Sequence, residues 1–312
     1  MFKVFSSGFI KDPVLEMKIE EPTDEIDLFG KKYRMYKDDW KKHIHLKVTN
    51  HCDANCPFCI ERPSRYDKSD CDAFMDSMRE LVGQMKEQGM FRTLSVTGGE
   101  PTLFPRIQEV VDFAREVHPL LFSINSNGAK VSELRPGSVN GWLNLSKHAV
   151  DDAGVFRRNW SFGKSAMRAF KDSQPDAKLR LQCVLGVPSG LTTIDDILNF
   201  MDVYGDVADD LSFRSLIVES EHGRMNPLFE ELRNFLFDEG CIVEQSIQDY
   251  YVYENYRWNG VEIVLSWSNM ALLQKYNESN KGNFLEEIIV HPDGMITGSW
   301  NKKTLIIKKG GR

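Results

Sequence analysis

Cys52, Cys56 and Cys59 stand in the run CDANCPFC, three thiols at a C-x3-C-x2-C spacing. Three readings are open to them. They can hold three irons of a [4Fe–4S] cluster, a centre that usually takes four Cys ligands. With only three, one iron is left open to a cofactor or substrate. They can hold structural zinc, which prefers four ligands in paired C-x2-C knuckles. No second knuckle is present, but His43, His45 and His51 lie just upstream and could add a nitrogen. Or they can be structural cysteines that happen to be neighbours. The spacing favours the cluster.

About forty residues on, residues 94–101 read LSVTGGEP. Taken alone, Gly98, Gly99, Glu100 and Pro101 make an ordinary strand-to-helix turn. Beside three thiols they suggest more. Glycines let a backbone approach a ligand closely, and backbone carbonyls with a carboxylate suit a bound cation. Further polar groups follow at intervals: the turn Asn125-Ser126-Asn127-Gly128, then Ser146, His148, Asp151, the pair Arg157 and Arg158, and Arg214. An Arg fork can clamp a carboxylate. It can equally be a solvated side chain, and a polar turn or a lone His can be purely structural.

The Cys triplet, the GGEP segment and the distance between them resemble the radical S-adenosylmethionine (radical SAM) superfamily over roughly residues 43–220. The resemblance implies a [4Fe–4S] cluster on Cys52, Cys56 and Cys59, with the fourth iron taking the amino and carboxylate groups of S-adenosylmethionine (SAM). It places Phe58 near the adenine, Gly98, Gly99, Glu100 and Pro101 around the SAM ammonium, Asn127 in the SAM pocket, Ser146 on the ribose and Arg157 or Arg158 on the SAM carboxylate. It implies an electron donor such as flavodoxin or ferredoxin. It also implies cleavage of SAM to a 5′-deoxyadenosyl radical, with hydrogen-atom abstraction from a small polar, nucleotide- or sugar-like metabolite. Two alternatives stand beside this: a peptide-modifying radical SAM enzyme, and a non-catalytic iron–sulfur or zinc protein. Many relatives carry an auxiliary cluster on a Cys-rich C-terminal extension. Here only Cys241 lies beyond residue 220, and Ser299 stands after HPDG where the resemblance would put such a Cys, so one cluster is expected.

Elements that could position these groups alternate along the chain. Strand patterns at 43–49, 92–97, 120–125, 142–146, 179–187 and 211–218 are separated by helical patterns at 71–89, 105–117, 160–173 and 193–204. Phe74, Met78, Leu81, Val82 and Met85 share a helix face. This βαβ order predicts a parallel sheet with outer helices. With the resemblance, it predicts an α/β fold built on a partial (β/α)6 TIM-like barrel, whose motifs fall at the C-terminal strand ends where barrel sites gather. Residues 1–42 are expected to hold a short hairpin around Phe29–Gly30, residues 43–220 the barrel, and residues 221–312 an α+β cap over the substrate, with a hairpin at Asp293–Gly294. Cys71, Cys183 and Cys241 read as small core residues. The C-terminal Tyr and Trp residues read as core and rim.

The 312 residues suffice for one good core with an appendage. A net charge of −7 argues against general binding to nucleic acid or an anionic membrane surface. There is no apolar run long enough to span a bilayer and no secretory signal pattern, so the expected location is cytoplasmic. In a reducing compartment clustered thiols read as metal ligands rather than disulfides.

Overall fold

The N-terminal turn forms the expected hairpin. The computed structural model describes residues 3–4, 24–35, 43–61, 69–215, 226–239, 242–248, 251–269, 272, 283–285, 287–300 and 305–310. After β1 (Lys3–Val4), β2 (Asp24–Leu28) and β3 (Lys31–Met35) pair antiparallel. Phe29 and Gly30 both have positive φ, 53° and 75°, the tight-turn geometry whose twist suits flanking strands. Ile26, Leu28, Tyr33 and Met35 are buried. Gln84 of helix α1 (Cys71–Glu87) and Gln88, its C-cap, reach across to the backbone of Phe29 and Asp27.

Strands β4 (His43–Thr49), β5 (Thr93–Gly98), β6 (Leu121–Ser126), β7 (Trp142–Ser146), β8 (Lys178–Leu185) and β9 (Asp210–Ser215) lie side by side in chain order, each parallel to the next. Helices α2 (Ile107–Val117), α3 (Ala153–Phe156), α4 (Lys164–Ser173) and α5 (Ile194–Tyr204) connect them. The expected helix over 160–173 is shorter. Arg157, at φ 53°, ends α3, and α4 starts only after Gly163.

Buried parallel strands are usually apolar on both faces. These are not. Leu94 and Val96, Phe122 and Ile124, Leu143 and Leu145, and Leu211 and Phe213 form one layer of fully or nearly fully buried side chains. Phe213 meets Phe200 of α5, ring to ring at 6.0 Å, so this layer faces the helices. The alternate residues face the other way, into the concave side. There Ser95, Ser123, Asn125, Asn144, Arg180, Gln182, Ser212 and Arg214 make a polar wall.

The C-terminal segment departs from expectation. Helix α6 (Pro227–Asp238) leads into an antiparallel meander of β10 (Ile242–Gln248), β11 (Tyr251–Trp258) and β12 (Val261–Ser268). Two reversals of direction bring β12 back parallel to β9, pairing Leu265 with Phe213 and Ser266 with Arg214. After β13 (Phe284–Leu285) joins β3, β14 (Ile288–Val290) pairs parallel with β4 at the opposite edge. Residues 221–312 therefore do extend the parallel sheet, in the order β12-β9-β8-β7-β6-β5-β4-β14, instead of standing only as a cap. Strands β15 (Ile296–Thr297) and β16 (Ile306–Lys308) complete that edge, and the Asp293–Gly294 hairpin forms as expected. Inside the meander, Glu254 is fully buried and takes hydrogen bonds from Arg233, Gln245 and Tyr256, which locks α6 to β11.

Cys183 is core, 1% exposed on the helix side of β8. Cys71 opens α1 half-buried and packs against the edge of the core. Cys241 lies outside the described residues.

Candidate functional site

All the motif residues collect at the C-terminal ends of β4 to β7. The glycine pair has a mechanical reason. A Cβ on Gly98 would lie 2.4 Å from the Thr49 carbonyl oxygen, and one on Gly99 would lie 2.3 Å from that of His51. Real side chains cannot fit there, so the end of β5 can press on the chain entering the Cys loop only because Cβ atoms are missing. Gly99 N–H donates to Thr49 O and Glu100 N–H to His51 O, each at 2.8 Å. The close approach is thus made to the protein's own backbone.

Glu100 is fully buried. Its carboxylate accepts from Thr102 N–H (3.0 Å) and Oγ1 (2.6 Å), Ser126 Oγ (2.7 Å) and Asn127 N–H (2.6 Å). It caps the 3₁₀ turn Pro101–Leu103 and ties it to the turn after β6. The sequence suggested a carboxylate facing a bound cation; in the structure its oxygens are turned to these internal donors. Burial pushes its pKa up, and the four donors pull it back.

Asn127 is also buried, and its side-chain amide is saturated. Nδ2 donates to Asp53 Oδ1 at 2.9 Å and to Cys52 Sγ at 3.6 Å; Oδ1 accepts from Ala129 N–H and from Arg158 Nη1 at 2.9 Å. Arg158 Nη2 donates to the Asn127 carbonyl at 3.0 Å, Nε to Trp160 O, and Nη1 contacts Asp53 at 3.4 Å. The guanidinium lies 3.4 Å over the Trp160 ring and 4.4 Å over that of Phe156, a cation–π arrangement. Arg157, beside it, is exposed. Asp53 is the residue that sequence reading missed. Its place between two candidate ligands was the available signal.

Beyond β7, Lys147 is fully buried. Its Nζ donates to Ser161 Oγ at 2.7 Å and pairs with Asp152 at 3.1 Å, anchoring the loop that carries Arg158. Asn55 N–H donates to Phe156 O at 2.9 Å, docking the Cys loop on α3. Phe58 is half-buried and meets His148 edge-on at 5.3 Å. His148 is 4% exposed, and its Nδ1 accepts from Val184 N–H. Burial, then the Lys147 charge, brings its pKa down to about 4, so the ring is neutral. Asp151 is exposed and caps Ala153. Ser146 ends β7 half-buried on the concave side.

The donor set suits an iron–sulfur cluster better than zinc. Among the described residues no three His, Cys, Asp or Glu groups surround one point as ligands of a single ion would; cluster ligands each bind a different iron and stand wider apart. The Cys56 thiol is nevertheless pushed up to about 12, by burial and then by Cys59 and Cys52, so three thiols share one partly buried spot. His43 and His45 sit at the far end of β4, bonded to Thr93 and facing Glu287. The Radical SAM superfamily model matches residues 46–181, a span that holds the loop, the GGEP turn, Asn127 and Arg158. This part of the chain is a radical SAM domain. The cofactors of that family are a [4Fe–4S] cluster and SAM, and the three thiols of this radical SAM domain fit the first. Curated relatives include a 7,8-dihydro-6-hydroxymethylpterin dimethyltransferase of Methanocaldococcus jannaschii, 29% identical over 29% of this chain and 18% of that protein. A probable GTP 3′,8-cyclase of Sulfolobus acidocaldarius is 29% identical over 35% of this chain and 34% of its own length. The chain therefore spans about a third or less of these relatives. Among solved structures, SuiB of Streptococcus suis superimposes with a TM-score of 0.53 at 15% identity, covering 83% of this chain and 60% of that one, a likeness of fold. No described helix is long and apolar enough to cross a membrane.

Proposed function

We propose that this chain is a radical SAM enzyme acting on a small polar molecule held in the barrel lumen. The observation that carries the substrate class is the open polar wall. Asn125, Arg180 and Gln182 lie in the middle of the sheet, with strands on both sides, yet remain partly exposed. Water or a solute must reach them through the concave side. The wall's charges largely cancel: Arg180 forks onto Asp210 at 2.6 and 2.7 Å. Two groups are left over among the described residues. Asn144 Oδ1 is buried without a partner, an acceptor for a hydroxyl or amine. Arg214, on the concave side near the mouth, is exposed and has no hydrogen-bond or ion-pair partner among those residues. The names of the two curated relatives, one a pterin methyltransferase and one a GTP cyclase, point to the same kind of molecule, small, polar and ring-bearing.

When bound, and given one electron by an external donor, the cluster and SAM would supply methionine and a 5′-deoxyadenosyl radical able to take a hydrogen atom from such a molecule. The chain's own contribution is placement. Cys52, Cys56 and Cys59 would hold the metal centre, Phe58 and His148 form an aromatic edge beside their loop, and β12 and β14 widen the wall that separates the lumen from solvent. Outer residues of the SAM pocket in this reading are Gly98, Pro101, Ser146 and Arg157.

Anaerobic protein reconstituted with iron and sulfide, then given dithionite and SAM, should form 5′-deoxyadenosine. The small-molecule fraction of a cell extract should stimulate this, and less so in Asn144→Leu and Gln182→Leu proteins of equal iron content. Uptake of zinc without iron, with no 5′-deoxyadenosine, defeats the enzyme reading. Stimulation by the macromolecular fraction alone defeats the substrate class.

A further inference from the structure

Sequence resemblance places Asn127 and Arg158 on SAM. The geometry points to a different role, in which Asn127 is a positioning residue that donates a hydrogen bond to the Cys52 sulfur and thereby sets the reduction potential of the cluster. This rests on the radical SAM reading above.

Asn127 has two side-chain hydrogens and two carbonyl lone pairs, and each has a partner. One hydrogen points to Asp53 Oδ1 at 2.9 Å and the other to Cys52 Sγ at 3.6 Å. The oxygen accepts from Ala129 N–H at 3.1 Å and Arg158 Nη1 at 2.9 Å. Two donors on one side fix the oxygen there, so the amide cannot flip, and the nitrogen must face the Cys loop. The backbone is held as firmly, with N–H on Glu100 at 2.6 Å and the carbonyl on Arg158 at 3.0 Å. The side chain has no capacity left for the adenosine or the methionine end of SAM. Arg158 is similarly committed, its side chain only 4% exposed and sandwiched by Phe156 and Trp160. The Cys52 sulfur also accepts from Ala54 N–H at 3.4 Å. Donors to a ligand sulfur draw electron density from it, favour the reduced cluster and raise its potential. Arg158 and Asp53 act through Asn127 by fixing which way its amide points.

Midpoint potentials, measured by electron paramagnetic resonance during redox titration of reconstituted protein without SAM, test this. Asn127→Leu, which keeps the volume but cannot donate, should retain iron and show a more negative midpoint. Arg158→Gln should move it the same way by less, and Arg158→Lys should recover part of the change. SAM affinity, read from the spectral change on SAM addition, should fall little in either protein. If Asn127→Leu cannot hold iron, the Arg158 pair decides by the same criterion. An unchanged midpoint with a large loss of SAM affinity overturns the inference and returns Asn127 to the SAM pocket. Failure of the wild-type protein to take up iron would instead overturn the radical SAM reading itself.

Discussion

Replacing Glu100 by Gln should destabilise the fold out of proportion to the change of one atom. The reason lies in the direction of four hydrogen bonds. Thr102 N–H and Asn127 N–H can only donate. The Ser126 hydroxyl already accepts from Gly128 N–H at 2.9 Å, and that of Thr102 from Lys130 N–H at 3.0 Å, so both turn their hydrogens to Glu100. Four donors converge on a group that is 0% exposed. Three of them converge on Oε1 and only Asn127 N–H on Oε2, so a carboxylate satisfies all four, whereas a Gln amide must turn its two hydrogens to at least one, that of Asn127. Losing that one bond to a charged acceptor costs about 1.5–3 kcal/mol. A domain of this size has roughly 5–15 kcal/mol in hand, and each kcal/mol moves Tm by about 2 °C in larger domains. Calorimetry of the metal-free proteins should therefore show Glu100→Gln melting about 3–6 °C lower, with metal linkage removed from the comparison. A Tm within about two degrees of wild type would mean that Glu100 is protonated in the fold and that the donors are wrongly assigned.

Two further outcomes are expected. Reconstituted protein should hold about four irons per chain, lost on changing any one of Cys52, Cys56 or Cys59 to Ala and kept in Cys183→Ala, since Cys183 faces the helix layer; iron near eight per chain, or full iron in Cys56→Ala, would contradict this. Acid should weaken the fold through His148. Its folded pKa of about 4 lies below the ordinary 6.5, so between those values the unfolded chain binds a proton that the fold refuses, and up to about 3 kcal/mol is lost as pH falls through the window. Urea midpoints at pH 7 and 4.5 should therefore converge for His148→Gln relative to wild type; equal losses in both proteins would exclude His148 as the cause.

The six central strands were legible because each alternates apolar and polar residues and ends in a turn signal. The same pattern in LSFRSL told that Arg214 alternates with Leu211 and Phe213, but not which face was concave; that needed Phe200 of α5 against Phe213. What the C-terminal segment would do was not legible. Residues 241–248 and 261–267 read as strands, but the strand between them, YVYENYRW, reads only as aromatic core and rim, and the place of all three depends on pairing with β9, more than forty residues back from β12. Likewise, three apolar residues, IIV, give no hint that they will pair with β4 at the opposite edge. Long-range register is set by which edges remain unpaired, and local pattern carries no record of that.

The site shows the same division. Residue types and spacing named the thiols and the GGEP turn, but the partners of each group came only with the fold. Those partners close a ring. The backbone after β4 is bonded to Gly99 and Glu100 after β5; Glu100 is bonded to Ser126 and Asn127 after β6; Asn127 is bonded to Arg158, from the loop after β7, and to Asp53 and Cys52, back in the loop after β4. Within residues 51–60 only Ala54 is buried, so the loop has little apolar packing of its own to fix its shape. Its geometry is imposed by four strand ends through polar contacts. This explains why the Cys run and the GGEP run are informative as a pair and weak apart: one supplies ligands on a loop that cannot order itself, and the other supplies the backbone shape and the buried carboxylate that order it.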